Sequence, residues 1–199
     1  MDSVAASGIW SGLASAINEI HNQDASQLSF EELYRNAYNL VLHKHGEVLY
    51  KGVAGAVERH LEGVARGAAG TQDEALLAKA SGIWSDHQLK MVMVRDSICM
   101  YMDRTYVVQQ KKKPIYELGL QIFREAVWEN PSVRPRLSRI LLANVQAERT
   151  GQLIDRSLMK NALAMLVEIG GGGGGAYGTD FEVPLLEATD DFYKAESQE

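Results

Sequence analysis

The chain contains 199 residues, of which 46% are hydrophobic, and carries a formal net charge of −6 at pH 7. This length and apolar content can fill the core of one or two domains, which excludes an intrinsically disordered chain. The acidic balance excludes general nucleic-acid binding, which needs a basic surface, so we expect no nucleic-acid partner. No apolar run approaches the roughly 20 residues of a membrane-spanning helix, and we expect no membrane partner.

The sequence also indicates where the protein resides. Its single cysteine, Cys99, excludes an internal disulfide and fits a reducing compartment, with a small buried hydrophobe as its expected role. The first residues lack the basic segment and the long apolar run of a secretory signal peptide. We therefore expect a soluble protein of the cytoplasm or nucleus.

A first helix is predicted from about Ser7 to Asn22, because apolar residues recur there at the spacing of one helix face. The segment that follows, up to residue 27, is short and polar. It links the first helix to the stretch 28–50, which carries the clearest helix-start signal in the chain.

The second helix is predicted from Phe30 to His45. Ser29 and Glu32 form a capping box, in which the serine hydroxyl accepts a hydrogen bond from the backbone of the first turn. Leucines on both sides of this cap complete a hydrophobic staple. At the other end, Gly46 is predicted to adopt the left-handed conformation that ends many helices.

One face of the second helix is predicted to be buried. At 100° per residue, five apolar side chains share one stripe: Phe30, Leu33, Ala37, Leu40 and Val41. Tyr34 and Tyr38 fall on the shoulder of this stripe, and Arg35 lies further toward solvent. Tyrosine and arginine beside an apolar patch are typical of protein-binding hot spots. The two rings can equally well only cap the edge of the core, and spacing leaves both interpretations open.

Three more helices are predicted before residue 111. The third has apolar residues at mostly four-residue intervals and ends in a turn near Gly67–Gly70. Thr71 and Glu74 form a second capping box, which predicts a short fourth helix that Ser81–Gly82 can interrupt. The fifth is predicted over about 83–110 and is rich in methionine, which fills irregular gaps in cores.

Prolines and glycines mark the limits of the next helices. Lys111–Lys113 stands directly before Pro114, and we interpret it as a solvated helix end and loop. Pro114 is predicted at the first position of the sixth helix. The seventh is predicted to begin between Pro131 and Pro135 and to end at Thr150–Gly151.

The last two helices are predicted on either side of a glycine run. Asp155 is expected to cap the eighth helix, and Pro184 to open the last one. Gly170–Gly175 is interpreted as an expanded flexible loop. A phosphate-binding loop would require a preceding strand and a following Lys-Ser/Thr pair, and the sequence has neither.

The fold is predicted to be all-α, because no segment alternates strictly between apolar and polar residues. The five histidines form no pair at i, i+4 spacing, and no zinc, redox or nucleophile motif is present. We therefore expect no catalytic residue, no metal and no cofactor, and a binding function instead of an enzymatic one.

Several segments resemble the N-terminal domain of the cullin family. LSFEELYRNAYNLVLHKHGEVLY (28–50) closely resembles the family's second helix in the branch that binds BTB-domain adaptors, and WSDHQLKMVMVRDSICMYMDRTYV (84–107) resembles its fifth. YELGLQIFRE (116–125), LIDRSLMKNALAML (153–166) and DFEVPLLEATDDFYKAESQ (180–198) follow in family order. The likeness covers nearly the whole chain, although 52–81 matches only in helical character.

The resemblance implies part of the scaffold of a cullin-RING ubiquitin ligase, built from stacked five-helix cullin repeats. Residues 1–110 would form an adaptor-binding repeat, and 111–199 a second repeat without its closing helix. The implied partners are BTB-domain substrate adaptors, whereas the RING subunit is not expected to bind here. Matching motifs carry the adaptor-binding positions over to eight residues: Leu28, Ser29, Phe30, Glu31, Tyr34, Arg35, Tyr38 and Tyr101.

A second hypothesis is a structural module of a helical tethering complex, whose rods stack similar helices and bind no BTB partner. The intact segment SFEELYRNAY (29–38) argues against this hypothesis. Identification of the proteins that bind the chain in a cell extract would distinguish the two.

Overall fold

A computed structural model describes residues 1–171 and 175–196. Within these residues the chain is helical and has no strand, which confirms the all-α prediction. The α-helices are α1 Ser3–His21, α2 Phe30–Leu42, α3 Gly46–Ala69, α4 Asp73–Val94, α5 Met100–Met102, α6 Ile115–Phe123, α7 Arg134–Arg149, α8 Arg156–Ile169 and α9 Val183–Glu196. Four segments are π-helical: Arg95–Cys99, Asp103–Val107, Arg124–Trp128 and Gly178–Glu182. Among the described helices, none is both long and apolar enough to cross a membrane.

Helix α4 is longer than the sequence predicted. It runs without a break through Ser81–Gly82, so the predicted interruption there is wrong. A glycine inside a helix costs only about 1 kcal/mol, and buried side chains of the same helix, such as Trp84, outweigh that cost. The capping box at Thr71 is also wrong, because its hydroxyl donates to the carbonyl oxygen of Gly67 at 2.9 Å and the helix begins at Asp73.

Helix α2 ends at Leu42, three residues before the predicted end at His45. Lys44, with φ of +66°, adopts the left-handed conformation that was predicted for Gly46. The backbone N–H of His45 donates to the carbonyl oxygen of Leu40 at 2.8 Å, and that of Lys44 donates to Val41 at 3.1 Å. These two bonds form a Schellman motif, which satisfies the last carbonyl groups of the helix.

Two glycines of α3 are needed for close packing against aromatic rings. Gly46 is buried, and a Cβ atom built on it would lie 2.5 Å from the ring of Tyr106. A Cβ atom on Gly52 would lie 2.4 Å from the ring of Trp10. Both rings therefore rest directly on the backbone of α3, at positions where any larger residue would displace them.

The other helix limits largely follow the sequence signals. Asp155 caps α8 by accepting a hydrogen bond from the amide of Leu158 at 3.0 Å, as predicted. Gly151, with φ of +82°, follows the end of α7. Pro114 is the cap of α6 instead of its first residue, and Pro184 is the second residue of α9. Part of the predicted glycine loop, residues 172–174, lies outside the described residues.

The chain forms two compact units. The first comprises Met1–Val64 and Ser85–Ala126, and the second comprises Ala65–Trp84 with the described residues from 127 onward. The core of the first is built mainly from Leu13, Ile17, Ile20, Leu33, Leu40, Leu49, Val53, Val57, Leu61, Met91, Val94, Ile98, Met102 and Phe123. That of the second includes Leu76, Trp84, Trp128, Leu137, Leu141, Met159, Leu166, Ile169 and Phe181. The division into family repeats at about residue 110 stays a prediction.

Cys99 is buried in the first unit as a free thiol, which confirms the role expected from the sequence. Burial raises the pKa of the Cys99 thiol far above its ordinary range, because the apolar surroundings disfavour the thiolate. The side chain therefore packs as a small hydrophobe.

Two arginines of α7 hold polar groups of the second unit together. Arg136 donates to the Asp73 carboxylate at 2.6 Å and to the backbone carbonyl groups of Ala69 and Thr71. Arg136 therefore fastens the turn between α3 and α4 to α7. Charge-assisted bonds of this kind are stronger than neutral ones, and the planar guanidinium can make several at once.

Asp180 is the centre of a second polar contact in this unit. Its side chain is only 10% exposed and forms an ion pair of 2.6 Å with Arg134. The indole nitrogen of Trp128 donates to the other carboxylate oxygen at 3.0 Å. Because both oxygens of Asp180 are hydrogen-bonded, its buried charge is compensated.

A cluster of histidines lies in the core of the first unit. The rings of His21 and His60 stack in parallel with centroids 4.2 Å apart. Beside them, the buried ammonium group of Lys90 donates to the His21 carbonyl oxygen at 2.6 Å and pairs with Asp86 at 2.5 Å. The ring of His87 donates to a backbone carbonyl oxygen on α6 at 3.0 Å. One lysine charge and one carboxylate thus share this site with three imidazole rings.

Burial is the main reason why these histidines stay neutral. Burial, together with the smaller effects of the neighbouring His60 and Lys90, lowers the pKa of His21 to about 3. Burial likewise lowers the pKa of His87 to about 4, although its bond to a backbone carbonyl oxygen acts in the opposite direction. The pKa of His60 is lowered for the same reason.

We predict that the free energy of unfolding falls as the pH is lowered from 7 to 5. A histidine in the unfolded chain has a pKa of about 6.5, so over this range the unfolded state binds more protons than the folded state. The stabilisation is complete above pH 6.5 and is lost toward acid pH, with a slope of up to about 1.4 kcal/mol per pH unit for each histidine.

Urea unfolding at several pH values measures this slope. The variant His21→Gln removes one of the titrating groups, so its slope should be smaller than that of the wild type, whatever its absolute stability. A free energy of unfolding that does not change between pH 7 and pH 5 would contradict the prediction.

We also predict opposite effects of one substitution at two positions of α3. Gly52→Ala forces the ring of Trp10 to move and should destabilise the protein by about 1–3 kcal/mol. Gly67→Ala is the matched control, because a Cβ atom there meets nothing within 4 Å. It should stabilise the protein by about 0.5–1 kcal/mol through higher helix propensity. Thermal unfolding distinguishes the two, and equal shifts of the melting temperature would contradict the packing that we describe.

Candidate partner-binding surface

Helix α2 presents a strip of exposed side chains. Phe30 is 38% exposed and Tyr34 is 37% exposed, and Glu31 and Arg35 beside them are exposed as well. The two aromatic residues are four positions apart and therefore lie one helical turn from each other. We call Phe30, Glu31, Tyr34, Arg35 and Tyr38 the α2 strip.

The structure corrects the prediction that Phe30 belongs to the buried face. Leu33, Ala37 and Leu40 are buried, whereas Phe30 is exposed and Val41, also predicted on this face, is half-buried. A helical side chain leans toward the N-terminus of its helix and covers the preceding turn. Phe30 is the first residue of α2, so it has no preceding turn to cover.

The residue directly before Phe30 caps the start of α2. Ser29 is the N-cap of α2 and accepts a hydrogen bond from the amide of Glu32 at 3.4 Å, as predicted. Leu28 is half-buried. Glu31 and Glu32 lie in the first turn, where a negative charge interacts favourably with the helix dipole. Of the predicted site residues, Ser29 thus fixes the start of α2, and Leu28 directly precedes it.

Tyr38 and Tyr101 contact each other although they are far apart in the sequence. Their ring centroids are 4.5 Å apart and the ring planes are tilted by 51°. Both residues are half-buried. An aromatic pair of this geometry contributes about 0.5–1.5 kcal/mol beyond the area that it buries. The structure therefore joins the α2 strip to the segment that carries Tyr101.

Two π-helical turns flank Tyr101. It lies in the short helix α5, between Arg95–Cys99 and Asp103–Val107. A π-helical turn inserts a residue into a helix and rotates the side chains that follow it. The Thr105 hydroxyl donates to the carbonyl oxygen of Tyr101 at 2.7 Å, which occupies a carbonyl group in this irregular stretch.

Asp103 connects the second π-helical turn to the start of α6. Its carboxylate accepts a hydrogen bond from the amide of Ile115 at 3.0 Å. Burial raises the pKa of Asp103, while the bond to the Ile115 amide lowers it. The first amide of α6 is thereby capped from a remote part of the chain.

One exposed apolar residue near the strip was not among the predicted site residues. Leu42 is 53% exposed and follows Tyr38 by four positions on α2. Its helical position, one turn after Tyr38, was the available sequence signal. Leu42 extends the apolar part of the α2 strip toward the C-terminal end of the helix.

Within the described residues, the chain is thus an all-α protein that exposes a strip of aromatic and charged side chains on α2. Residues 10–199 match the family model described as the cullin alpha solenoid domain. The chain therefore belongs to the cullin family, and the expected helical solenoid fold is confirmed.

Known relatives agree with this assignment. The chain is 45% identical over 189 residues to cullin-3 of Dictyostelium discoideum, covering 95% of this chain and 24% of the relative. It is 46% identical over 190 residues to cullin-3B of Arabidopsis thaliana, covering 96% of this chain and 25% of the relative. Cullin-4A of Homo sapiens is 33% identical over 192 residues. The chain thus spans about a quarter of the length of these relatives and is similar to the cullin-3 proteins.

We predict that Tyr38→Ala destabilises the protein while Phe30→Ala does not. Tyr38 loses its packing against Tyr101, which should lower the free energy of unfolding by about 1–2 kcal/mol. Phe30 is an exposed first-turn residue, so its removal should change the value by less than about 0.5 kcal/mol.

Urea unfolding of these variants, together with Tyr101→Ala and the double variant, gives the coupling between the two rings. A coupling of about 1 kcal/mol is expected. If Phe30→Ala were the more damaging of the two single substitutions, the observed exposure of α2 would not describe the protein in solution.

Proposed function

We propose that this chain is the adaptor-binding part of a cullin scaffold in a ubiquitin ligase, and that it binds BTB-domain substrate adaptors. The observation that carries the proposal is the α2 strip with Tyr38 packed against Tyr101, in a chain similar to cullin-3 proteins. The function is binding, and the chain serves as a non-catalytic part of the complex.

The composition of the strip supports a protein partner. Aromatic residues and arginine dominate binding hot spots, because large rigid side chains bury much area at little cost in conformational entropy. Phe30 and Tyr34 present apolar area, while Glu31 and Arg35 beside them are exposed and charged. This arrangement of an apolar centre with charged neighbours is typical of interfaces between separately folded proteins.

The rigidity of the strip supports the proposal as well. Ser29 fixes the first turn of α2, and the Tyr38–Tyr101 contact fixes its middle. A surface that is already ordered loses less entropy when it binds. In the proposed complex Tyr38 and Tyr101 act partly by holding the strip in place, and Phe30 and Tyr34 make the larger new contacts.

The remaining parts of the proposal follow from the scaffold role. We place the chain in the cytoplasm or nucleus, in keeping with its reduced, buried Cys99. The RING subunit is proposed to bind elsewhere than on this chain. The eight residues predicted from family motifs remain the proposed adaptor contacts, with Ser29 contributing mainly through the fixed start of α2.

We predict that Tyr34→Ala and Phe30→Ala each weaken binding to a BTB-domain adaptor by about 2 kcal/mol, or roughly thirtyfold. Titration calorimetry with a panel of purified BTB domains measures the affinities. Since both side chains are exposed, the melting temperature should be nearly unchanged, so a loss of affinity reports on the contact itself.

Tyr193→Ala is the matched control, because this tyrosine is 60% exposed on α9. It should bind with wild-type affinity. Wild-type affinity of both strip variants would overturn the site assignment. Failure of the whole panel to bind, with tethering subunits recovered from a cell extract instead, would favour the alternative of a structural module.

A further inference from the structure

A group of lysines stands out in a chain whose net charge is −6. We call Lys51, Lys111, Lys112 and Lys113 the basic patch. From the sequence, 111–113 was interpreted as a solvated helix end. The structure holds this segment in one conformation through three separate sets of contacts.

The first set closes the end of the helix. Lys111, with φ of +52°, adopts the left-handed conformation. Its amide donates to the carbonyl oxygen of Val108 at 3.2 Å, and the amide of Lys112 donates to Val107 at 3.0 Å. This Schellman motif determines the direction in which the three lysines leave the helix.

The second set involves two tyrosines. The Lys112 ammonium group lies 5.0 Å from the ring centroid of Tyr50 and 6.0 Å from that of Tyr106. The Tyr50 hydroxyl donates to the carbonyl oxygen of Lys113 at 2.9 Å. Cation–π attraction and this hydrogen bond together order a turn that would otherwise move in solvent.

The third contact anchors Tyr106 itself. Its ring rests on the backbone of Gly46, where a Cβ atom would lie 2.5 Å away. The conformation of the lysine turn is therefore tied to the start of α3. Lys112 is half-buried, which corrects its interpretation as fully solvated, whereas Lys111 and Lys113 are exposed.

Few negative charges oppose the basic patch. Lys51 is 72% exposed at its side chain and pairs with Glu47 at 2.8 Å. Lys51 lowers the pKa of the Glu47 carboxyl, and the nearby charge of Lys112 lowers it further by a smaller amount. Asp103 lies near Tyr50, but it is half-buried and bonded to the Ile115 amide. Lys113 also donates to the Gln121 side chain at 2.5 Å, and Gln121 in turn donates to the exposed Glu125 at 2.8 Å. The four lysines thus outnumber the two exposed carboxylates, Glu47 and Glu125, that these contacts bring near the patch.

We propose that the basic patch is a docking surface for an acidic, extended segment of a partner protein. It shares no residue with the α2 strip and does not depend on the proposed adaptor binding. Its charge complements carboxylates, and its fixed geometry lowers the entropy that the lysines lose on binding. The half-buried rings of Tyr50 and Tyr106 hold Lys112, and its neighbours Lys111 and Lys113 are exposed.

The same features argue against a nucleic acid as the occupant. Single-stranded nucleic acids bind to free aromatic faces and to long basic grooves. Here the faces of Tyr50 and Tyr106 are engaged by Lys112, and Tyr106 also packs on Gly46. The rest of the chain is acidic, so a long polyanion would be repelled beyond the patch.

The test uses a fluorescein-labelled acidic peptide composed of glutamate and leucine, and fluorescence polarisation at low and at physiological salt. The triple variant K111Q/K112Q/K113Q should weaken binding by about tenfold, since each exposed ion pair contributes up to roughly 1 kcal/mol. The matched control K79Q/K160Q/K194Q changes the net charge equally at three other exposed lysines. Its affinity should stay within about twofold of the wild type.

A second variant tests whether the fixed conformation of the lysine turn contributes to binding apart from its charge. Tyr50→Phe removes the hydroxyl bond to Lys113 and leaves every charge in place, so binding should weaken by about threefold, equivalent to one modest hydrogen bond. Tyr193→Phe is its control and should bind like the wild type. If the lysines only stabilise the helix end, the triple variant will lower the melting temperature without changing peptide affinity.

Three results would overturn the proposal. The two triple variants could lose affinity equally, which would indicate general attraction. The peptide affinity could be unchanged in the patch variant. A labelled RNA oligonucleotide of equal charge could bind more tightly than the peptide and respond to the same substitutions. Wild-type affinity of the patch variant for a BTB domain is expected and keeps this test separate from the adaptor proposal.

Discussion

The packing of α2 against the segment 95–107 is the contact on which the candidate surface depends. Leu33, Ala37 and Leu40 anchor one face of α2 in the core, and Tyr38 reaches Tyr101 at the edge of that core. With its inner face fixed in this way, α2 presents its remaining side chains at constant positions. A proposed partner would therefore meet these side chains in an arrangement that is already ordered.

Irregular helix geometry makes this contact possible. A uniform α-helix through 95–107 would turn 100° at every residue, and the two π-helical turns change that phase on both sides of Tyr101. The Thr105 and Asp103 side chains bond to backbone groups in and beside this stretch. Such groups would otherwise be unsatisfied where the helix pattern changes. The position of Tyr101 is thus supported by polar side chains that do not touch the strip.

In the first unit, two aromatic rings pack directly on the backbone of glycine residues. Trp10 packs on Gly52 and Tyr106 packs on Gly46, and through Tyr106 the packing extends to the ordered lysine turn. Several buried polar groups are either hydrogen-bonded or uncharged. The carboxylate of Asp180 is bonded at both oxygens. His21, His60 and His87 have lowered pKa values mainly because burial disfavours the charged imidazole, and the nearby Lys90 charge lowers them further.

The sequence by itself determined features that depend on neighbours along the chain. The caps at Ser29 and Asp155, the end of α7 at Gly151 and the buried faces of the helices follow from local hydrogen bonds and periodicity. Only the tertiary structure decided features in which remote residues compete for one position. Gly46 begins α3 against the ring of Tyr106, and Lys44 takes the left-handed position instead. Helix α4 continues through Gly82 because its buried side chains outweigh one glycine. The contact between Tyr38 and Tyr101 and the position of Lys112 beside Tyr50 and Tyr106 likewise arise between distant segments, which no local pattern encodes.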